Sequence, residues 1–261
     1  MAKPKKNYGW LPDHGDQRDY IFTPKKKRGI VDKLLNATQI STKKVDLRPS
    51  MPPIYDQGQV GSCTGNATGG AFEFELKRQN LPDFTPSRLE IYYNGRVYEK
   101  TTRHDSGAMI RDVVKGVANY GVCPETVWPY IESKVTRKPS TTCYKDAKTH
   151  LALQYQRIIS TNDMKSCLDQ GMPFIFGISV YDSFESDAVA KTGVVPMPKS
   201  NEQLLGGHAL LAVGYDDSKQ VFIFRNSWGT GWGMSGYGTI PYQYLSNSNL
   251  ADDFWTISKV N

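Results

Sequence analysis

The chain is poor in cysteine, with four among 261 residues: Cys63, Cys123, Cys143 and Cys167. So few, so widely spaced, exclude a disulfide-dense scaffold. Cys-x-x-Cys is absent, and His14, His104 and His150 have no partners at metal-ligand spacing. No metal and no cofactor are therefore expected. Long apolar runs are also missing. The longest, Met172 to Val180, is far too short to cross a bilayer, which argues against a membrane partner. The N-terminus, Met-Ala-Lys-Pro-Lys-Lys-Asn-Tyr-Gly-Trp, is charged but lacks the apolar core of a secretory signal. With cysteine so sparse, a cytoplasmic location is the expectation.

What is present is globular. A hydrophobic content of 39% with 22% charged residues can build a real core. The length allows one large domain or two small ones sharing a cleft. The net charge of +6 is not evenly spread: residues 1–44 hold eleven Lys or Arg against four Asp, and the remainder is close to neutral. The basic character thus belongs to an N-terminal extension, and no nucleic-acid partner is expected for the body. Lys25-Lys26-Lys27-Arg28 is its densest cluster, read as a solvated loop in preference to a cleavage site, a localisation signal or a polyanion contact. Residues 30 to 36 could form one or two helical turns. Tyr8, Trp10, Leu11, Tyr20 and Ile21 stand in an otherwise polar arm. They suggest that residues from about Tyr8 to Phe22 dock on the body and restrict a cleft there.

Three separated motifs carry chemistry. Residues 56–67 read Asp-Gln-Gly-Gln-Val-Gly-Ser-Cys-Thr-Gly-Asn-Ala, residues 206–209 read Gly-Gly-His-Ala, and residues 225–233 read Arg-Asn-Ser-Trp-Gly-Thr-Gly-Trp-Gly. A lone cysteine is usually a small hydrophobe. Cys63 with His208, Asn226 and Gln57 instead describes a thiol hydrolase site. The thiol needs a thiolate-stabilising neighbourhood, which an imidazolium and a helix N-terminus provide. Cys63 follows turn residues and opens a helical pattern in which Ala67, Ala71 and Phe74 recur at spacings of four and three. His208 can take the thiol proton and return it to a leaving amine. Asn226 can fix the imidazole by a hydrogen bond, and Gln57 can donate to an oxyanion. Gly229, Gly231 and Gly233 are turn glycines, since no phosphate-loop lysine follows.

These motifs resemble the papain family of cysteine proteases, which includes the cathepsins. The resemblance rests on Val45 to Arg48, Gln57 to Cys63, His208 to Tyr215 and Asn226 to Gly238, and covers the chain from about residue 45 onwards. It implies Cys63 as nucleophile, His208 as general base and acid, Asn226 as its orienting partner and Gln57 in the oxyanion hole. It also implies that Trp228 shields the Asn–His hydrogen bond. For substrate binding it implies Gly107 pairing with an extended peptide. Met109, Gly177 and Ala209 would wall the pocket for the second residue before the scissile bond, with a hydrophobic preference. Two features depart from the family pattern: Thr64 follows the cysteine where an aromatic is usual, and Val60 replaces a cysteine. If Cys63 is the nucleophile, at most one disulfide can form among Cys123, Cys143 and Cys167. Cys123 and Cys143 are one candidate pair, and the missing disulfide framework favours a reducing compartment or a fold independent of such bonds.

The body, residues 45–261, changes period near its middle. Residues 57–150 read as mainly helical: the helix at Cys63, a second capped by Ser87, and a third within Ser106–Gly121, with Ile110, Val113, Val114 and Val117 on one stripe. Residues 151–261 read as mainly β, with strands at Phe174–Val180, His208–Tyr215, Gln220–Asn226, Gly236–Ile240 and Phe254–Val260. The expected class is α+β, and the resemblance implies a two-lobe papain-like fold: a helical lobe facing a β-barrel-like lobe across the active-site cleft. The expected activity is that of an endopeptidase working through a thioester acyl-enzyme on peptide or protein substrates, as a monomer. A transpeptidase using the same first half-reaction, or a binding protein using the cleft without turnover, are the competing readings. The basic extension, much shorter than the family's usual propeptide, is either an inhibitory segment of a zymogen or a surface strap.

Overall fold

The structure, a computed structural model, describes residues 7–24 and 43–261. The Lys25–Arg28 cluster and the helical turns expected over 30–36 lie outside the described residues. Seven strands form one antiparallel sheet: β1 (Lys44–Asp46), β2 (Ala152–Arg157), β3 (Phe174–Tyr181), β4 (Leu204–Asp216), β5 (Val221–Arg225), β6 (Tyr237–Pro241) and β7 (Ala251–Val260). Their order is β2-β7-β3-β4-β5-β6, with β1 pairing to β4. The sheet is open rather than closed into a barrel. The extension thus gives way to paired backbone at Lys44, which lies opposite Asp216.

Alternation along the central strands builds a core on each face of the sheet, because successive side chains point to opposite sides. Phe174, Phe176, Leu210, Ala212, Phe222 and Phe224 belong to one core. Ile175, Ala209, Leu211, Val213 and Ile223 belong to the other, which they share with the helices. Those helices are α1 (Cys63–Arg78), α2 (Arg88–Glu99) and α3 (Ile110–Tyr120).

Helix α1 is buried on every side from Cys63 to Leu76, which explains a sequence with no clear polar face. Its glycines weaken the pattern locally but serve packing. A Cβ at Gly65 would sit 2.6 Å from the Arg88 carbonyl oxygen and 2.9 Å from Tyr92 Cβ, so α1 and α2 can approach this closely only at glycine. Ser87 caps α2 by accepting from the Glu90 N–H at 3.3 Å. The expected third helix starts later than its pattern, at Ile110, because Gly107 has φ +82° and Met109 is extended. Its stripe, Ile110, Val113, Val114 and Val117, is fully buried, and Gly121 ends it at φ +76°. The remaining helices, α4 (Thr141–Ala147), α5 (Thr161–Asp169), α6 (Asp187–Thr192) and α7 (Tyr242–Ser246), are short. Among the described residues no helix is long and apolar enough to cross a membrane.

Candidate active site

Cys63 is the first residue of α1 and is fully buried. The turn before it is held from three directions. The Gly61 N–H donates to Asp105 at 2.8 Å, the Tyr130 hydroxyl donates to the Gln57 carbonyl at 2.9 Å, and Ser62 Oγ pairs with Tyr130 Oη at 2.5 Å. His208 lies on β4, opposite Ile178 of β3, and Ala209 follows it opposite Gly177. Backbone groups of Ala209, Gly9 and Thr64 lie close enough to the Cys63 sulfur to favour its thiolate. Helix start and β4 therefore meet at the thiol. Burial nonetheless pushes the Cys63 thiol up to about 11, and those backbone groups offset only part of that cost.

His208 Nε2 and Asn226 Oδ1 lie 2.9 Å apart, fully buried. The Ser227 N–H also donates to Asn226 Oδ1 at 2.8 Å, which fixes the amide with its oxygen toward the imidazole. The Trp228 ring stacks on the imidazole at 4.9 Å and 26°. Phe184 and Trp232 pack against Trp228 and complete an apolar jacket around the pair. Gln57 is anchored by its own Oε1, which accepts from Ser227 Oγ at 2.6 Å. Its Nε2 donates to the Val60 carbonyl at 2.8 Å and lies 3.4 Å from the Asn7 carbonyl.

The arm runs through this space. Trp10 N–H donates to the Gly207 carbonyl at 2.9 Å, Ala108 N–H to the Gly9 carbonyl at 2.8 Å, and Leu11 N–H to the Ala108 carbonyl at 3.2 Å. The arm's backbone pairing falls on Ala108, while the N–H of the neighbouring Gly107 donates to Tyr92 Oη at 2.8 Å. Tyr8 meets the His208 ring edge-on at 5.9 Å and hydrogen-bonds Glu185. The Trp10 side chain, 5% exposed, covers Gly177 so closely that a Cβ there would lie 1.9 Å from the indole. Met109 is the residue before α3, next to Ala108, and Ala209 packs in the same core as Trp10.

Beyond the pocket the arm is clasped by charge. Arg111 reaches Asp13 at 2.9 Å and Asp19 at 2.7 Å, and Arg157 pairs with the same two carboxylates. Phe22 N–H then donates to the Arg157 carbonyl at 2.8 Å, with the Phe22 ring buried.

Sequence reasoning missed Asp253. This fully buried carboxylate takes the Ile110 N–H at 2.8 Å and the Trp255 indole N–H at 2.6 Å, and lies 3.4 Å from the Trp10 indole nitrogen. Desolvation first, then the charge of Asp13, push it up to about 7. Nothing in Asp252-Asp253 distinguishes it from a solvated acidic pair.

A thiol at the start of a buried helix and an imidazole–amide pair carried by an antiparallel sheet are the parts a cysteine hydrolase of α+β fold needs. The sequence profile of papain family cysteine proteases matches residues 41–255, and the chain belongs to that family. It is a papain-like cysteine peptidase, a hydrolase acting on peptide or protein substrates. An uncharacterised peptidase C1-like protein of Acanthamoeba polyphaga mimivirus is 41% identical over 98% of this chain and 88% of its own length. Cathepsin K of Gallus gallus is 31% identical over 77% of this chain, which spans 58% of that protein. The crystal structure of xylellain, a cysteine protease from Xylella fastidiosa, superposes with a TM-score of 0.87 at 43% identity, covering 100% of this chain and 99% of that one.

Proposed function

We propose that Cys63 is the nucleophile of an endopeptidase held latent by its own N-terminal arm. His208 removes the thiol proton through the ring nitrogen not engaged with Asn226, and Asn226 holds ring tilt and tautomer. The thiolate attacks the substrate carbonyl. The Gln57 side-chain N–H supports the resulting oxyanion, a contribution of about 3 kcal/mol to the transition state. Protonated His208 gives its proton to the leaving amine, and water then resolves the thioester.

The observation that carries the latency is the path of residues 7–11. Gly9 lies on the thiol, Tyr8 on the imidazole, the Asn7 carbonyl near the Gln57 amide, and Trp10 over Gly177. A substrate cannot use these groups until the arm leaves. Trp10 also indicates what the pocket accepts. Its small walls at Gly177 and Ala209 suit a large hydrophobic side chain, as the family resemblance implies, with Met109 at its edge. Asp253 at the far end adds favour for a side chain that can donate a hydrogen bond.

Labelling by a peptidyl epoxide tests this reading. The intact chain should label slowly, a chain lacking residues 1–43 at least tenfold faster, and Cys63→Ala not at all. Equal rates for the intact and shortened chains would remove the arm from the mechanism. In the shortened chain, fluorogenic dipeptides with Leu or Phe before the P1 residue should be cleaved faster than those with Arg. An Arg preference would refute the hydrophobic pocket.

A further inference from the structure

We propose that Cys123 and Cys143, which the peptidase chemistry does not use, form a disulfide that braces the turn preceding the nucleophile. Both side chains are fully buried, and their sulfurs lie 2.6 Å apart although 20 residues separate them in sequence. They make a small core of their own with Ala147, against Val127 and Trp128. Cys123 follows α3, and Cys143 lies in α4, a helix of seven residues capped by Ser140. Between Cys123 and the start of α4 at Thr141, the helical structure among the described residues is one short 3-10 turn, Glu132–Lys134. A crosslink is the device that holds such a segment when regular hydrogen bonding is scarce.

The segment inside the loop touches the site. Tyr130 donates to the Gln57 carbonyl and pairs with Ser62, Glu132 accepts from the Gln59 N–H at 3.3 Å, and Arg88 lies 4.1 Å from the Tyr130 ring. Closing residues 123–143 therefore reduces the freedom of the two side chains that hold Gln57 to Ser62 in place.

A third group belongs to the cluster. Glu90 of α2 is buried, accepts from the Cys123 N–H at 2.7 Å and lies beside both thiols. It is the local proton acceptor for the oxidation, with a small-molecule disulfide such as oxidised glutathione as electron acceptor. One thiol loses its proton to Glu90. The thiolate attacks a sulfur of the small disulfide, expelling one small thiolate and leaving a mixed disulfide. After Glu90 releases that proton to water, it takes the proton of the second thiol. The new thiolate displaces the second small thiolate and forms the Cys123–Cys143 bond. Two electrons leave the protein thiols, and one small disulfide becomes two thiols. The exchange takes place before burial is complete or when the exposed 131–137 stretch lifts.

Two sulfurs and a carboxylate could also suggest a metal, since these ligand atoms lie within 4.8 Å of one another. Geometry argues against it. A tetrahedral zinc would hold two thiolates about 3.8 Å apart, and among the described residues no fourth ligand joins the cluster.

The test uses the full chain carrying Cys63→Ala, which prevents self-cleavage and leaves three thiols. After equilibration in glutathione buffers, denaturation and N-ethylmaleimide treatment, intact mass should show three adducts under reducing conditions. Under oxidising conditions it should show one, at Cys167. Reduction should lower the melting temperature by about 5–10 °C and increase hydrogen exchange at residues 57–62. The same chain with Cys123→Ser and Cys143→Ser should show neither redox response. Three adducts under every condition, or retained zinc with reduced thiols, would overturn the disulfide. Unchanged exchange at 57–62 would overturn its link to the site.

Discussion

His208 and Asn226 share one hydrogen bond but are assigned different tasks, and substitution should separate them. In the proposed mechanism His208 transfers the proton, so His208→Ala is expected to abolish turnover of fluorogenic peptides by the shortened chain. Asn226 only holds the ring, and Trp228 and Phe184 still confine it from the other side. Asn226→Ala should therefore reduce kcat by about 10- to 100-fold while leaving KM little changed. Gln57→Ala should cost about 10²–10³ in kcat, the loss of one oxyanion donor. Equal defects for His208→Ala and Asn226→Ala would contradict this division of labour. The positions of Cys63 at a helix start and of the paired His208 and Asn226 were legible because each stands in a short motif with its own turn residues. Asp253 and Ala108 were not, because their importance comes from what packs against them.

The arm is held by two contacts of different kinds, an indole in a pocket and a pair of carboxylates between two arginines. Asp13 and Asp19 are almost inaccessible, with side-chain exposures of 2% and 1%, and each serves both Arg111 and Arg157. Removing one partner of a buried ionic cluster leaves the others uncompensated, at a cost of about 3–5 kcal/mol. Asp19→Ala should accordingly loosen the arm and raise the epoxide labelling rate of the intact chain at least tenfold, approaching that of the shortened chain. Trp10→Ala should act in the same direction by emptying the space above Gly177. A labelling rate unchanged by both substitutions would mean that the arm is not what limits access. Tyr8, Trp10 and Leu11 signalled docking from sequence, whereas Tyr20 and Ile21, expected to dock with them, stay exposed. The acidic residues of the arm gave no such signal, since Asp13, Asp16 and Asp19 read as solvated loop until Arg111 and Arg157 are brought beside them.

The fold as a whole carries a protonation cost at Asp253. Its folded value is raised to about 7 from an ordinary carboxyl value near 4, by desolvation and then by Asp13. A folded state that binds this proton more tightly than the unfolded chain gains stability at acid pH. The contribution is complete below about pH 4 and is lost as pH rises through about 7, amounting to a few kcal/mol at most. Asp253→Asn cannot ionise, so its melting temperature should fall less than that of the wild type between pH 4 and 7. Parallel melting curves across that range would show that the carboxyl is already ionised in the folded protein.

The sequence by itself determined the α+β class, the three long helices, most of the strands, and the motifs that define the candidate site. Periodicity and short turn-bounded motifs are local, so they survive without coordinates. The helix α1 pattern was readable despite Gly65, Gly69 and Gly70, but only the packed structure shows why a side chain at Gly65 would collide with α2. Long-range contact decided the rest. Strand β2 was not among the strands read from the sequence, since most of its side chains are exposed or half-buried, and its place at the sheet edge comes from pairing with β7. Three of the four short helices gain definition from serine caps, and none from its own periodicity. The path of Tyr8 to Leu11 across the thiol was decided only when strands β3 and β4 met the start of α1. A groove between distant segments has no signature in either segment alone.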